Sequence, residues 1–236
     1  MRLTSAIDRA TLPHLGFILF VGMPIAALLP FDPAFLAATF GSPLLRAALL
    51  AGLAIAGCVM GQRAGLRLRP HGARFPHLIA LGAAIAMAIA IALLDGVLWR
   101  GQLTPTYLAL FQTDLLARVL SFMSRAFNEN VIYRLFVFSG LVLLLAQFWR
   151  GRDGQLALGA VLAAAILAQS INIAINILWI SPGGTGTSHL AYDIIRYVNP
   201  GVLWALLYWR YGFVAAEIAS VSCHIVLQPL LGYLLG

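Results

Sequence analysis

Glu129, Asn130 and Arg134 set a carboxylate, an amide and a guanidinium at the opening of a long apolar run. Moving a charged side chain to a bilayer centre costs about 3 kcal/mol or more, so such groups turn inward in a helical bundle. There they can exchange protons and hold negative charge at a site, or they can brace the fold. As a brace, Glu129 pairs with an arginine of a neighbouring helix. Five residues separate Glu129 from Arg134, a spacing that does not stack them on one face of a regular α-helix.

Two further polar pairs follow. Asn172 and Asn176 are four apart and share a helix face, as do Ser220 and His224. Amide bonds between membrane helices contribute about 0.6–2 kcal/mol each, so the asparagines serve as glue whatever else they do. His224 falls near mid-span, and its plain reading is a histidine hydrogen-bonded to Asn176 or Glu129. Cys223 points to another side of the same helix, which disfavours a Cys–His dyad. Glu217, Asp193 and Arg196 lie near span ends, where water or a snorkelling contact satisfies them, and Asp95 beside Arg100 reads the same way. His189, after the loop Gly183-Gly184-Thr185-Gly186-Thr187, reads as an exposed loop residue.

The elements that must position these residues are membrane spans. Of 236 residues, 61% are hydrophobic and 10% charged, with a mean hydropathy of +0.92. A soluble domain carries about a quarter charged residues, so the chain reads as one polytopic, all-helical membrane domain over 1–236. A span needs roughly 17–25 apolar residues. Such runs lie at 13–30, 43–61, 76–99, 126–149, 156–180, 190–209 and 213–235. Pro13, Pro30 and Pro76 mark borders, and Pro200 falls inside the sixth run, where it predicts a kink. Arg2 and Arg9 precede the first run with no small-residue cleavage site after it, which favours a first span over a signal peptide.

All 15 basic residues are arginine and the net charge is +7, which suits an anionic cytoplasmic leaflet and, with so little soluble surface, not nucleic acid. Arg63, Arg67, Arg69, Arg74, Arg150, Arg152 and Arg210 cluster in loops that the positive-inside rule places in the cytoplasm. Seven spans result, N-terminus inside and C-terminus outside, with Glu129 in the outer half of its helix. Residues 107–124 form an amphipathic pattern in which Asp114 and Arg118 are spaced to pair, and the loop charges favour a non-crossing helix. Were it to cross, there would be eight spans.

Glu-x-x-x-x-Arg opening a span resembles the first motif of the CPBP family, the CAAX-protease and bacteriocin-processing intramembrane endopeptidases. That motif reads Glu-Glu-x-x-x-Arg; Glu129 and Arg134 match, and Asn130 replaces the second glutamate. The turn Tyr208-Trp209-Arg210-Tyr211-Gly212, with Ala215-Ala216 after it, is similar to the family's Tyr-Trp-Arg-x-Gly turn. The resemblance covers roughly 125–230. Counted from Gly212, the last-motif histidine falls on Ser220 and its partner on His224. A register one turn later makes His224 the motif histidine and Gln228 its partner. Asn176, with Asn172 before it, stands where the family's middle histidine belongs.

The resemblance implies a helical bundle in a bacterial inner membrane, with Glu129, Arg134, Asn176, Ser220 and His224 lining a shared cavity. In the family the glutamate is thought to activate water, alone or on a divalent metal. Here Glu129 and His224 would be two ligands for an ion such as zinc, which needs three or four. Without a metal, Glu129 would act as base, with Asn130 or Asn176 as oxyanion donor. Two functions follow. One is cleavage of membrane-associated or prenylated peptides, with Glu129 as base and His224 as ligand or acid. The other is a family member without proteolysis that binds a peptide, lipid or membrane-protein partner. A small transporter is a third, weaker reading, without an inverted repeat to support it.

Overall fold

Prolines open most of the helices, because the first turn of a helix has no use for the amide hydrogen that proline lacks. The computed structural model describes residues 7–29, 41–149, 156–176 and 191–236. After a short turn at Arg9–Thr11 come α1 (Leu12–Leu28), α2 (Pro43–Ala64) and α3 (Pro76–Leu93), each with proline in its first turn. A π turn, Leu94–Leu98, continues α3. The short α4 (Pro105–Ala109) is capped by Thr104, whose hydroxyl accepts from the Tyr107 amide at 3.3 Å. Next come α5 (Leu115–Glu129), a π segment Asn130–Phe138, α6 (Ser139–Leu145) and α7 (Leu158–Asn176). A second π segment, Ile194–Val198, leads into α8 (Asn199–Tyr211), and α9 (Phe213–Leu235) closes the fold.

Among the described residues, six helices are long and apolar enough to cross a membrane: Arg9–Leu28, Pro43–Ala64, Pro76–Leu98, Leu115–Leu145, Leu158–Ile175 and Phe213–Leu235. The run expected over 190–209 is helical from residue 191 to 211, with a π segment at Ile194–Val198, and is not among the six. Pro200 sits just after that segment, whose wider winding accommodates the missing donor. Pro30, Arg150, Arg152, the Gly183–Thr187 loop and His189 lie outside the described residues.

One expectation is corrected. The amphipathic stretch over 107–124 is not a helix separate from a span that begins at 126. From Leu115 to Leu145 the chain is one uninterrupted helix of 31 residues, about 46 Å at 1.5 Å per residue. Nor do Asp114 and Arg118 pair with each other. Asp114 caps α5, accepting from the Ala117 amide at 2.8 Å. The Arg118 guanidinium donates to the carbonyls of Leu110 (3.2 Å) and Thr113 (3.0 Å) and reaches across to that of Gln228 in α9 (3.3 Å). The polar stripe of this helix is therefore consumed by capping and docking.

Small side chains let the helices approach. Ala80, Ala84 and Ala88, one turn apart on α3, are buried against α9, where Ala216, Ala219 and Cys223 are also buried. A Cβ on Gly57 of α2 would stand 2.5 Å from the Leu135 carbonyl oxygen, so α2 crosses the π segment backbone to backbone. The two ends of the bundle differ. At one, the loop 65–75 is bonded to the α8–α9 turn by Phe213 N to Arg67 O and Val214 N to Leu68 O, both 3.0 Å. That end carries Arg63, Arg67, Arg69, Arg74 and Arg210. At the other, Arg46 caps α1, donating to Ala26 O at 2.9 Å and Ala27 O at 2.7 Å, where the helix leaves carbonyls without partners.

Candidate functional site

Halfway along the 31-residue helix the winding changes from α to π over Asn130–Phe138. Hydrogen bonds from i to i+5 bring residues five apart onto one side. Glu129 and Arg134 are in electrostatic reach of each other. Arg134 is buried, and its Nη2 donates to Gln169 Oε1 of α7 at 2.7 Å. Gln169 is itself held: its Nε2 donates to the Tyr197 carbonyl at 2.8 Å, and its Oε1 also accepts from Asn172 Nδ2 at 3.4 Å. A Cβ at Gly201 would collide with the Gln169 side chain, so glycine there makes room for the bridge.

Glu217 of α9 completes the set. It is 8% exposed, lies within electrostatic reach of Arg134 and faces the Asn130 amide, which is 1% exposed. The Asn130 amide reaches toward the Glu217 carboxylate, and beyond that contact neither side chain has a hydrogen-bond partner among the described residues. A buried polar group left without partners costs about 1–3 kcal/mol, so this corner of the bundle is incomplete as it stands. Arg134 thus stands between two carboxylates, the half-buried Glu129 and the buried Glu217.

The remaining expected residues spread along α9 and α7. Ser220 is buried one turn beyond Glu217, and His224 lies half-buried a turn further on. The His224 ring stacks on Phe122 of α5, centroids 5.5 Å apart and planes at 24°, with Gln228 Nε2 3.5 Å from its Nδ1. Asn172 joins the network through Gln169. Asn176 is the last residue of α7, and its side chain lies outside the described residues.

A second polar node, at the end opposite the arginine-rich loops, was not expected inside the protein. Asp95 is fully buried at the π turn that ends α3. Its Oδ2 accepts from Tyr107 Oη at 2.6 Å, its Oδ1 from Tyr192 Oη at 2.9 Å, and Arg196 Nε lies 3.0 Å from both oxygens. Arg196 Nη2 also donates to Tyr107 Oη at 3.1 Å. Asp95, Arg196 and Glu217 therefore do not rest on water at span ends.

Zinc draws at least three ligands from the protein. Among the described residues no three His, Cys, Asp or Glu side chains come together, so Glu129 and His224 gain no third such ligand and the donor set does not fit a metal centre. Of the residues around Arg134, sequence reasoning passed over Gln169 and set Glu217 aside as a span-end residue. Gln169 had a signal: it shares a helix face with Asn172 and Asn176, at spacings of three and seven. No protein-family model matches the chain, and neither curated proteins nor solved structures provide a match.

Proposed function

We propose that this is a membrane protein of seven crossings that binds a membrane-embedded peptide segment at Asn130 and Glu217 without cleaving it. The observation that carries the reading is the pair of buried polar groups beside Arg134, Asn130 and Glu217, which have no partner among the described residues but each other. Together they offer a donor, Asn130 Nδ2, and acceptors, the Glu217 carboxylate and Asn130 Oδ1. That is the complement of a peptide group, which brings one N–H and one C=O. Glu129 is half-buried while Asn130 and Arg134 are buried, so the approach runs from the Glu129 side inward. His224 stacks on Phe122 and meets Gln228, a setting that suits a packed histidine better than a catalytic one.

The seventh crossing is the helix over 191–211, which returns the chain to the arginine-rich end before α9. That end faces the cytoplasm of a bacterial cell by the positive-inside rule. Hydrolysis is the second reading, favoured by one observation: Glu217 sets a second carboxylate beside Arg134, where the CPBP motif would have it next to Glu129.

The experiment is binding and cleavage of labelled hydrophobic peptides by the protein in lipid nanodiscs. Binding should weaken roughly 5- to 100-fold in Asn130→Ala, the range for stranding one buried partner, with intact peptide recovered by mass spectrometry. Cleavage lost in both Glu129→Gln and Glu217→Gln would replace binding with hydrolysis. Unchanged affinity in Asn130→Ala would remove the interior site.

A further inference from the structure

At the arginine-rich end, a cleft of about 380 Å³ opens between the start of α1 and the end of α2, lined by Asp8, Thr11, Gln62, Gly65, Leu66, Arg67 and Arg69. We propose that this cleft binds the phosphate of an anionic phospholipid. The inference depends on the bundle lying in a membrane and is independent of the interior peptide site.

Three features of the cleft support it. The first is preorganised charge. Residues 66–69 alternate, with Leu66 and Leu68 buried and Arg67 and Arg69 outward. Their backbone is clamped to the α8–α9 turn through the carbonyls of Arg67 and Leu68. Gly212, at φ +95°, permits that clamp, because a Cβ there would run into the Arg69 carbonyl. The two guanidinium groups thus project from a fixed edge, and less ordering is needed when an anion arrives.

The second feature is the polar wall opposite. Gln62 bridges α2 to the α1 entry, its Oε1 accepting from the Asp8 amide at 3.3 Å and its Nε2 donating to Thr11 Oγ1 at 2.9 Å. The one carboxylate of the lining, Asp8, is turned to its own helix start, accepting from the Ala10 amide at 3.2 Å. Arg63, Arg74 and Arg210 lie at the same end of the bundle, so positive charge outweighs that of Asp8 there. The field is felt by His71, half-buried in the same loop. Burial, and then Arg67, Arg210 and Arg69, hold its imidazole below the usual histidine range, offset in part by a hydrogen bond to the Arg69 carbonyl.

The third feature selects a lipid over free phosphate. From Thr11 in the cleft wall the chain continues into α1, where Leu12 and Phe20 are 49% and 80% exposed and Gly16 between them has open space beside it. Those positions share one helix face, an apolar track along which an acyl chain lies while its phosphate meets Arg67 and Arg69. Basic pockets between membrane helices at the cytoplasmic side are the usual hosts of anionic headgroups.

The test is the thermal stability of the protein in nanodiscs as phosphatidylglycerol replaces phosphatidylcholine. The wild type should gain a saturable upward shift in Tm. In Arg67→Gln/Arg69→Gln the half-saturating lipid fraction should rise on the order of thirtyfold, from two lost surface arginines. Arg100→Gln, away from the cleft, should behave as wild type. In the wild type, His71 observed by NMR should titrate at higher pH once the anion is bound, a readout that needs no variant. Equal shifts with phosphatidylcholine, an unaltered response in the double variant, or full protection by inorganic phosphate alone would each overturn the proposal.

Discussion

Asp95 and Glu217 are both buried carboxylates with an arginine in reach, and they are finished differently. Asp95 accepts from two tyrosines and from Arg196, so each oxygen is used and the node ties the end of α3 to α4 and to the 191–198 segment. Glu217 meets only the Asn130 amide, and the nearby arginine donates to Gln169 instead. A fully satisfied buried pair holds helices in register, whereas a partly satisfied one contributes less to the fold than it costs to bury.

The largest effect that separates the nodes should come from Asp95→Ala. It strands the Arg196 charge, and breaking a buried pair from one side costs about 3–5 kcal/mol, read as a large fall in Tm in detergent or nanodiscs. If the variant melts near wild type, Asp95 is no rivet and the contrast fails. Next, Tyr192→Phe removes one donor from that carboxylate and should cost about 1.5–3 kcal/mol, the range for bonds to a charged group. Gln169→Leu should follow at about 1–3 kcal/mol by removing the acceptor of Arg134, and it should shift unfolding without touching the Asp95 node. The smallest effect belongs to Glu217→Gln. The glutamine keeps an oxygen for the Asn130 amide, and the attraction to Arg134 that it loses is offset by the easier burial of an amide than of a charge, so stability should change by less than about 0.5 kcal/mol. A loss of 2 kcal/mol or more would mean that Glu217 is braced like Asp95, on the scale of a broken buried network.

Much of the fold was legible along the chain, and less of the site. Pro43 and Pro76 located helix starts, and the apolar runs anticipated the six long helices to within a few residues at most borders. The run expected to begin at 126 failed by about eleven residues, because the amphipathic turns before it showed no sign that α5 continues unbroken. Within the site, Glu129, Asn130, Arg134 and Asn172 stood out as polar groups in apolar surroundings. Glu217 did not, since nearness to a span end suggested water. Asp95 was misjudged for the same reason, for Tyr107, Tyr192 and Arg196 arrive from elements 12, 97 and 101 residues away.

The amino-acid sequence by itself determined that the chain is a helical membrane protein, where most of its helices lie, and which end of the bundle carries the arginines. These follow from hydropathy and charge, which add up locally and need no neighbours. Only the tertiary structure decided that Gln169 holds Arg134, and that Asp95 is closed by two tyrosines and Arg196 while Glu217 meets the Asn130 amide alone. Those outcomes depend on π winding and on the rotation of each helix about its axis. Both are set by packing such as the Gly57–Leu135 and Gly201–Gln169 approaches, where a single methyl group decides how near two helices come.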